Sequence, residues 1–351
     1  MYDVAIIGGG IIGTAAAAYL AEAGASVVLL EWSALGAGAS GRNSGGIQHP
    51  YDPILARLHD QTLLLYRELA DTDPDFRLAG QPDGLLLVST DPAGAESVAT
   101  ELNAATPELE ALFVPPDELA QLEPGLAPNV AGVLLATGYA VAPAAATHAF
   151  ARRATRAGAE VRVGQQATVE AGFALAGSVL VAAGPWSGGL VPGWTERTPI
   201  GRLWGVVATI DMAQPPRHIL EEMSIDAHGS ADPVAFSLMT ADGSTSLGST
   251  FLLDEPEPAE IVEQLRSRGT RFVPAVGSAT VSAFRVCARP VAFDGRPLIG
   301  PVAGVERLYV CAGHGPWGIS AGPASARLVV DAILGRAVDL PAELSASRIA
   351  T

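Results

Sequence analysis

Tyr2-Asp3-Val4-Ala5-Ile6-Ile7, running into Gly8-Gly9-Gly10-Ile11-Ile12-Gly13, decides the reading of this 351-residue chain. A short apolar run broken by glycines predicts a buried strand, and the alanine-rich stretch after it predicts a helix to about Gly24. A second apolar run, Ser26-Val27-Val28-Leu29-Leu30-Glu31, completes a βαβ unit. Gly8-x-Gly10-x-x-Gly13 therefore stands where a strand hands over to a helix, and Glu31 ends the next strand 18 residues beyond Gly13. In that setting the glycines permit a tight turn, close approach of a pyrophosphate and tight seating of helix on strand. The helix start at Gly10 and Ile11 offers unpaired amides to phosphate, and Glu31 is placed to accept from ribose hydroxyls. The pattern predicts a dinucleotide site without separating FAD from NAD.

Outward from this unit, Leu55 to Leu69 has helical spacing and residues 83–89 read as a strand. Pro-rich loops and short helices run on to Ala140, forming a mixed α/β insertion. A helix is expected from Ala145 to Ala157, followed by strands at 159–164 and 178–184 with the apolar character of a parallel sheet. Residues 198–284 differ in pattern, with 199–212, 232–239 and 244–251 reading as strands and 258–268 as a covering helix. The earlier pattern returns with a strand at 307–313 and a helix from about Ile319 to Leu334. The expected fold is α/β, with a Rossmann-like nucleotide-binding lobe assembled from 1–50, 141–197 and 285–351. A smaller lobe with an antiparallel β-sheet, from 51–140 and 198–284, would carry the substrate.

Composition narrows the chemistry. A formal charge of −16 without any basic run disfavours nucleic acid and anionic membrane surfaces as partners. All 21 basic residues are arginine, so Schiff-base catalysis and a P-loop lysine are excluded. Two cysteines, Cys287 and Cys311, are too few for a disulfide framework, an iron–sulfur cluster or a structural zinc site from this chain alone. No metal is expected, and redox chemistry would need an organic cofactor. No apolar stretch is long enough for a transmembrane helix and no signal-peptide pattern opens the chain, so a cytoplasmic protein is expected.

Two further segments carry chemistry. Residues 36–46 pack glycines with Ser40, Arg42, Asn43, Ser44, Gly45 and Gly46 directly after the second strand, so backbone must pass close to something flat or anionic. Gly313-His314-Gly315-Pro316-Trp317-Gly318-Ile319-Ser320 lies between a strand and a helix, whose N-terminus again offers amides and positive dipole. Pyrophosphate at the first helix start and a reduced flavin at the second would use both.

These segments, with Val181-Ala182-Ala183-Gly184-Pro185-Trp186-Ser187 and with Arg289-Pro290 ahead of Asp294-Gly295-Arg296-Pro297-Leu298-Ile299-Gly300, resemble the D-amino-acid oxidase, glycine oxidase and sarcosine oxidase family of flavoenzymes. The resemblance covers nearly the whole chain. It implies FAD held in extended form, with Ala183, Gly184 and Trp186 among the cofactor residues. It also implies hydride transfer from the carbon beside nitrogen to flavin N5, giving an imine that hydrolyses. Arg289 matches the arginine that clamps the substrate carboxylate, a task suited to a planar bidentate donor. The Gly313-His314-Gly315 turn would place backbone amides where negative charge develops on the flavin, and His314 and Trp317 join Arg289 as candidate catalytic residues.

Cys287 matches the cysteine that sarcosine oxidases join covalently to flavin, whereas Arg289-Pro290 resembles the other branch. The sarcosine-oxidase lysines are absent, and Trp317 stands where one of them would be. The electron acceptor is thus open between oxygen and a quinone or protein carrier. Alternatives are a dehydrogenase, or a flavoprotein subunit of a hetero-oligomeric sarcosine-oxidase-like complex. The oxidase half of a tRNA-modifying enzyme conflicts with the acidic charge. His49, Tyr51, Tyr139 and Trp204 are candidate walls of a pocket for a small amino acid or amine. The sequence leaves the side chain, the D or L preference and the oligomeric state open.

Overall fold

The computed structural model describes residues 1–223 and 233–349. Asp232, first residue of an expected strand, and Ala350 and Thr351, the end of the expected first lobe, lie outside the described residues.

Among the described residues, one sheet has six strands in the order Leu298–Pro301, Leu308–Ala312, Ala176–Val181, Tyr2–Ile7, Val27–Glu31, Glu160–Val163. All neighbours are parallel except the antiparallel pair at the Leu298–Pro301 edge. Ile6 and Ile7 register with Leu29 and Leu30 on one side and with Leu180 and Val181 on the other. The four central strands are largely buried on both faces, which is why they read as apolar runs, whereas the edge strand Glu160–Val163 is exposed or half-exposed.

Helix Ile11–Glu22 packs on this sheet between helices Ala145–Arg156 and Gly318–Ile333. Its alanines 15 to 18 are fully buried, small enough for neighbouring helices to approach on every side. Helix Pro53–Thr72 joins the same layer, with Leu55, Leu58, Tyr66 and Leu69 in the shared core and the Tyr66 hydroxyl donating to Ile319 O at 2.7 Å. The sequence reading assigned this helix to the other lobe. Its amphipathic pattern fixed a buried face but not which layer it would meet.

The second sheet has eight strands in the order Thr280–Ala292, Ile200–Asp211, Ser244–Thr250, Val234–Ala241, Ile219–Glu222, Leu85–Ser89, Ala131–Leu135, Leu112–Val114. It is antiparallel, as expected, except for one parallel pair, Ile219–Glu222 beside Leu85–Ser89. Helix Pro258–Thr270 covers one face, where Phe236 stacks on Phe272 at 5.2 Å.

The lobe boundary expected at residue 285 falls inside strand Thr280–Ala292, which pairs along nearly its whole length with Ile200–Asp211. That strand carries Cys287 and Arg289 from the second sheet to the edge of the first. The Asp294–Pro297 segment that follows is tied down by charge: Arg296 binds Asp52, whose other carboxylate oxygen caps helix Pro53–Thr72, and Arg348 binds Asp294. Among the described residues, no helix is long and apolar enough to cross a membrane.

Candidate active site

A cavity of ≈ 750 Å³ runs from Glu31 and Trp32, past the glycine turn, to His314 and Arg289. Gly8 takes φ +115°, and a Cβ there would lie 2.4 Å from Ala182 O. Only glycine gives this approach of turn to neighbouring strand. Helix Ile11–Glu22 begins at extended Gly10 with no side-chain cap, leaving its first amides facing the cavity. One is used internally: Ile11 N donates to Ser40 Oγ at 3.0 Å, drawing the 38–42 segment across the helix start. Glu31 receives Gly9 N at 2.7 Å on one carboxylate oxygen and Ser33 N at 2.8 Å on the other, which fixes it with acceptor capacity to spare.

Gly8, Gly10, Ile11, Glu31, Ser40, Arg42, Asn43, Ala183, Gly184, Trp186, Cys287, Gly315, Pro316, Gly318 and Ile319 all line this cavity. Gly13 does not. A Cβ at Gly13 would meet Gly8 O at 1.9 Å, so its task is to seat the helix on the turn. Gly313 does not line the cavity either; at φ +92° it packs on Ala292 and accepts Ala292 N.

His314 is buried, and burial pushes its pKa down to about 3. The Ser325 hydroxyl donates to Ala321 O and so accepts from His314 Nε2, both at 2.9 Å. Nδ1 is then an unprotonated acceptor with no protein partner among the described residues. A neutral imidazole tied to helix Gly318–Ile333 suits a positioning role better than acid–base work. The glycine cradle, two helix starts without side-chain caps and this orphaned acceptor all lie along one cavity, donors and acceptors that suit a dinucleotide.

A smaller cavity of ≈ 110 Å³ adjoins the first at Arg289. His49 and Tyr51, expected as pocket walls, and Trp317, expected as catalytic, line it. Ser44, Gly45, Gly46 and Ser320, expected at the cofactor, line this cavity and not the large one, Asn43 lines both, and Gln48, Glu221, Ser249 and Phe251 are added. Tyr139 and Trp204 line neither cavity. Tyr139 is buried in a two-strand ribbon opposite Ile47, and strand alternation turns Trp204 away from the face on which Gly205 meets Arg289.

Arg289 is held from three sides. Its NH1 donates to Thr250 O at 2.6 Å, its NH2 donates to Ser249 Oγ at 3.0 Å, and Phe251 lies under the guanidinium at 4.8 Å. Gly205 makes room, since a Cβ there would come within 2.8 Å of NH1. No carboxylate pairs with Arg289 among the described residues, and three of its five N–H donors have no partner there. Burial disfavours its charge. A desolvated cation without an anion is costly to keep and is therefore a strong anion site.

The residues missed were those without a motif. Gln48 and Glu221 hydrogen-bond at 2.7 Å across 173 positions, a proximity only the fold creates. His49 and His59 meet edge to face at 5.1 Å beside Asp60, forming a cluster of metal-ligating atoms among the described residues. Burial pushes His59 down to about 4.

Cys287 lines the large cavity, but burial pushes its thiol up despite the arginines at 289, 42 and 285. A protonated thiol is a poor nucleophile. Acid precipitation of the holoprotein is therefore expected to leave the yellow colour in the supernatant, with the polypeptide at its unmodified mass. A flavin adduct on the Cys287 peptide would reverse this expectation.

The model of the FAD dependent oxidoreductase family matches residues 3–332. Glycine oxidase from Pseudomonas aeruginosa is 28% identical, the match covering 95% of this chain and 95% of that enzyme. Glycine oxidase from Pseudomonas putida is 30% identical over a shorter match, 47% of this chain and 43% of that one. The crystal structure of glycine oxidase from Geobacillus kaustophilus superposes with a TM-score of 0.83 at 23% identity, covering 99% and 98% of the two chains. The cradle of Gly8, Gly10 and Glu31, the two helix starts and this full-length match together make the chain an enzyme of the FAD dependent oxidoreductase family.

Proposed function

We propose that the protein oxidises the carbon–nitrogen bond of an amino acid or related carboxylate-bearing amine. The observation that carries this reading is Arg289, a guanidinium without an ionic partner among the described residues, shared by the large cavity and a small cavity beside it. FAD, when bound, supplies the acceptor for the electron pair that leaves the carbon beside nitrogen, and the resulting imine is hydrolysed by water. The chain's own part is placement. Arg289 holds the carboxylate by two parallel hydrogen bonds, fixing the distance of the adjacent carbon from the cofactor cavity. The helix start at Gly318 directs positive dipole toward charge that develops there. The carbon gives up its electron pair only when the nitrogen is a neutral amine, so one proton first passes from the ammonium to water. His314, tied to Ser325, and Arg289, which stays protonated, are not assigned as the base.

The test is anaerobic mixing of the holoprotein with a panel of D- and L-amino acids, glycine and sarcosine, read by bleaching of the flavin absorbance and by ammonia or amine released on reoxidation. Bleaching by a panel member is expected. Bleaching only by hydroxy acids or by glycerol phosphate would overturn the reading. Reoxidation of the bleached protein by air, compared with a quinone, then separates an oxidase from a dehydrogenase.

A further inference from the structure

Strand Ile219–Glu222 ends in two adjacent acids that point to opposite faces. Glu222 is spent on the fold: both its oxygens meet Arg268, and one also accepts Phe236 N. Glu221 instead faces the small cavity, with Gln48 Nε2 on Oε1 at 2.7 Å. Its Oε2 has no partner among the described residues. No ion pair joins Glu221 to Arg289, although each charge acts on the other. The small cavity thus has one cation and one anion in its walls, each lacking an oppositely charged partner among the described residues. Its formal charge sums to zero, and its two poles, not close enough to pair, both line one cavity of ≈ 110 Å³.

On the reading that Arg289 takes the substrate carboxylate, we infer that Glu221 Oε2 receives the substrate ammonium, so that the pocket selects zwitterions over plain carboxylates. An isolated Arg289 would attract any small anion. Glu221 repels an anion that brings no positive charge and attracts one that does, giving discrimination by a repulsive element as well as an attractive one. Burial raises the Glu221 carboxyl to about 6, so it is ionised at neutral pH. The neutral Gln48 amide orients the carboxylate without cancelling its charge. Recognition of a zwitterion would therefore be divided between two strands of one sheet, Thr280–Ala292 and Ile219–Glu222.

The test uses two ligands of equal shape that carry no hydrogen on the carbon beside the carboxylate and so bind without turnover. They are 2-aminoisobutyrate, a zwitterion, and 2,2-dimethylpropanoate, in which a methyl replaces the ammonium. Each is titrated into the holoprotein and followed by perturbation of the flavin spectrum. In Glu221→Gln the zwitterion is expected to bind about tenfold or more weakly and the carboxylate severalfold more tightly, so the preference crosses. Glu221→Asp should keep the preference for the zwitterion, which separates loss of charge from loss of packing. Parallel weakening of both ligands, or no change in either, overturns the role of Glu221. In that case loss of both ligands in Arg289→Gln would still uphold the carboxylate site. Failure of both ligands to bind the unaltered protein overturns the Glu221 role and the carboxylate site together.

Discussion

Arg289→Ala is expected to lower kcat/KM for amino-acid oxidation by about 10³-fold, in line with the roughly 2–5 kcal/mol lost when one partner of a buried, hydrogen-bonded charge pair is removed. The loss should appear in KM and kcat together, because the clamp both binds the carboxylate and sets the distance of the reacting carbon. Folding should respond differently. Without a substrate, Arg289 is a half-buried cation with two hydrogen bonds and a ring contact but no ion pair among the described residues. Removing it loses those contacts and relieves a desolvated charge, so stability should change by no more than about 1 kcal/mol. Arg289→Lys keeps the charge and loses the planar fork, and should fall between the two. Steady-state kinetics and thermal unfolding on the same three proteins check this. Unchanged turnover in Arg289→Ala would remove the carboxylate clamp and, with it, the reading of the small cavity.

The first sheet was legible because its central strands are largely buried on both faces and its turn needs glycine. The run from Tyr2 to Glu31 shows both features in one βαβ unit, and the second and third segments repeat the apolar signature. The second sheet was legible only in its long strands. Ile219–Glu222 is four residues with two acids, and Leu112–Val114 is three; neither is long enough to show a period. Most residues lining the large cavity were legible because backbone chemistry at helix starts is local in sequence. Of the residues lining the small cavity, Arg289 was marked by a motif, and His49 and Tyr51 by residue type alone. Glu221 reaches the pocket through a strand order that brings Ile219–Glu222 beside Leu85–Ser89, and no local feature encodes that pairing. Trp204 failed for a related reason: aromatic character signals burial, but which face of a strand is buried against what depends on the neighbour, here Gly205 against Arg289.

Gly13→Ala should abolish stable flavin binding and lower the thermal midpoint by about 5 °C or more, on the scale of an overpacked core that cannot relax. The added Cβ would stand 1.9 Å from Gly8 O and 3.1 Å from Gly8 C, both backbone atoms of the turn itself. Relief requires the helix to leave the turn by about 1 Å or more, and a misplacement of that size costs on the order of 10²-fold where geometry sets the interaction. The helix cannot retreat freely, since Ala15 to Ala18 are fully buried against the sheet and two flanking helices. Strain at Gly13 is therefore transmitted to the helix-start amides that face the cofactor cavity. Gly24, just past the other end of the same helix, is the control. It has φ +90° and nothing within 4 Å of a Cβ, so Gly24→Ala should cost about 1 kcal/mol through backbone conformation alone and leave flavin occupancy intact. Flavin content per chain and thermal unfolding, measured on both variants, separate the two effects. If Gly13→Ala retained full flavin, the pyrophosphate could not depend on the seating of the Ile11–Glu22 helix start. If both variants lost flavin equally, general destabilisation would explain the loss without any steric conflict at the turn.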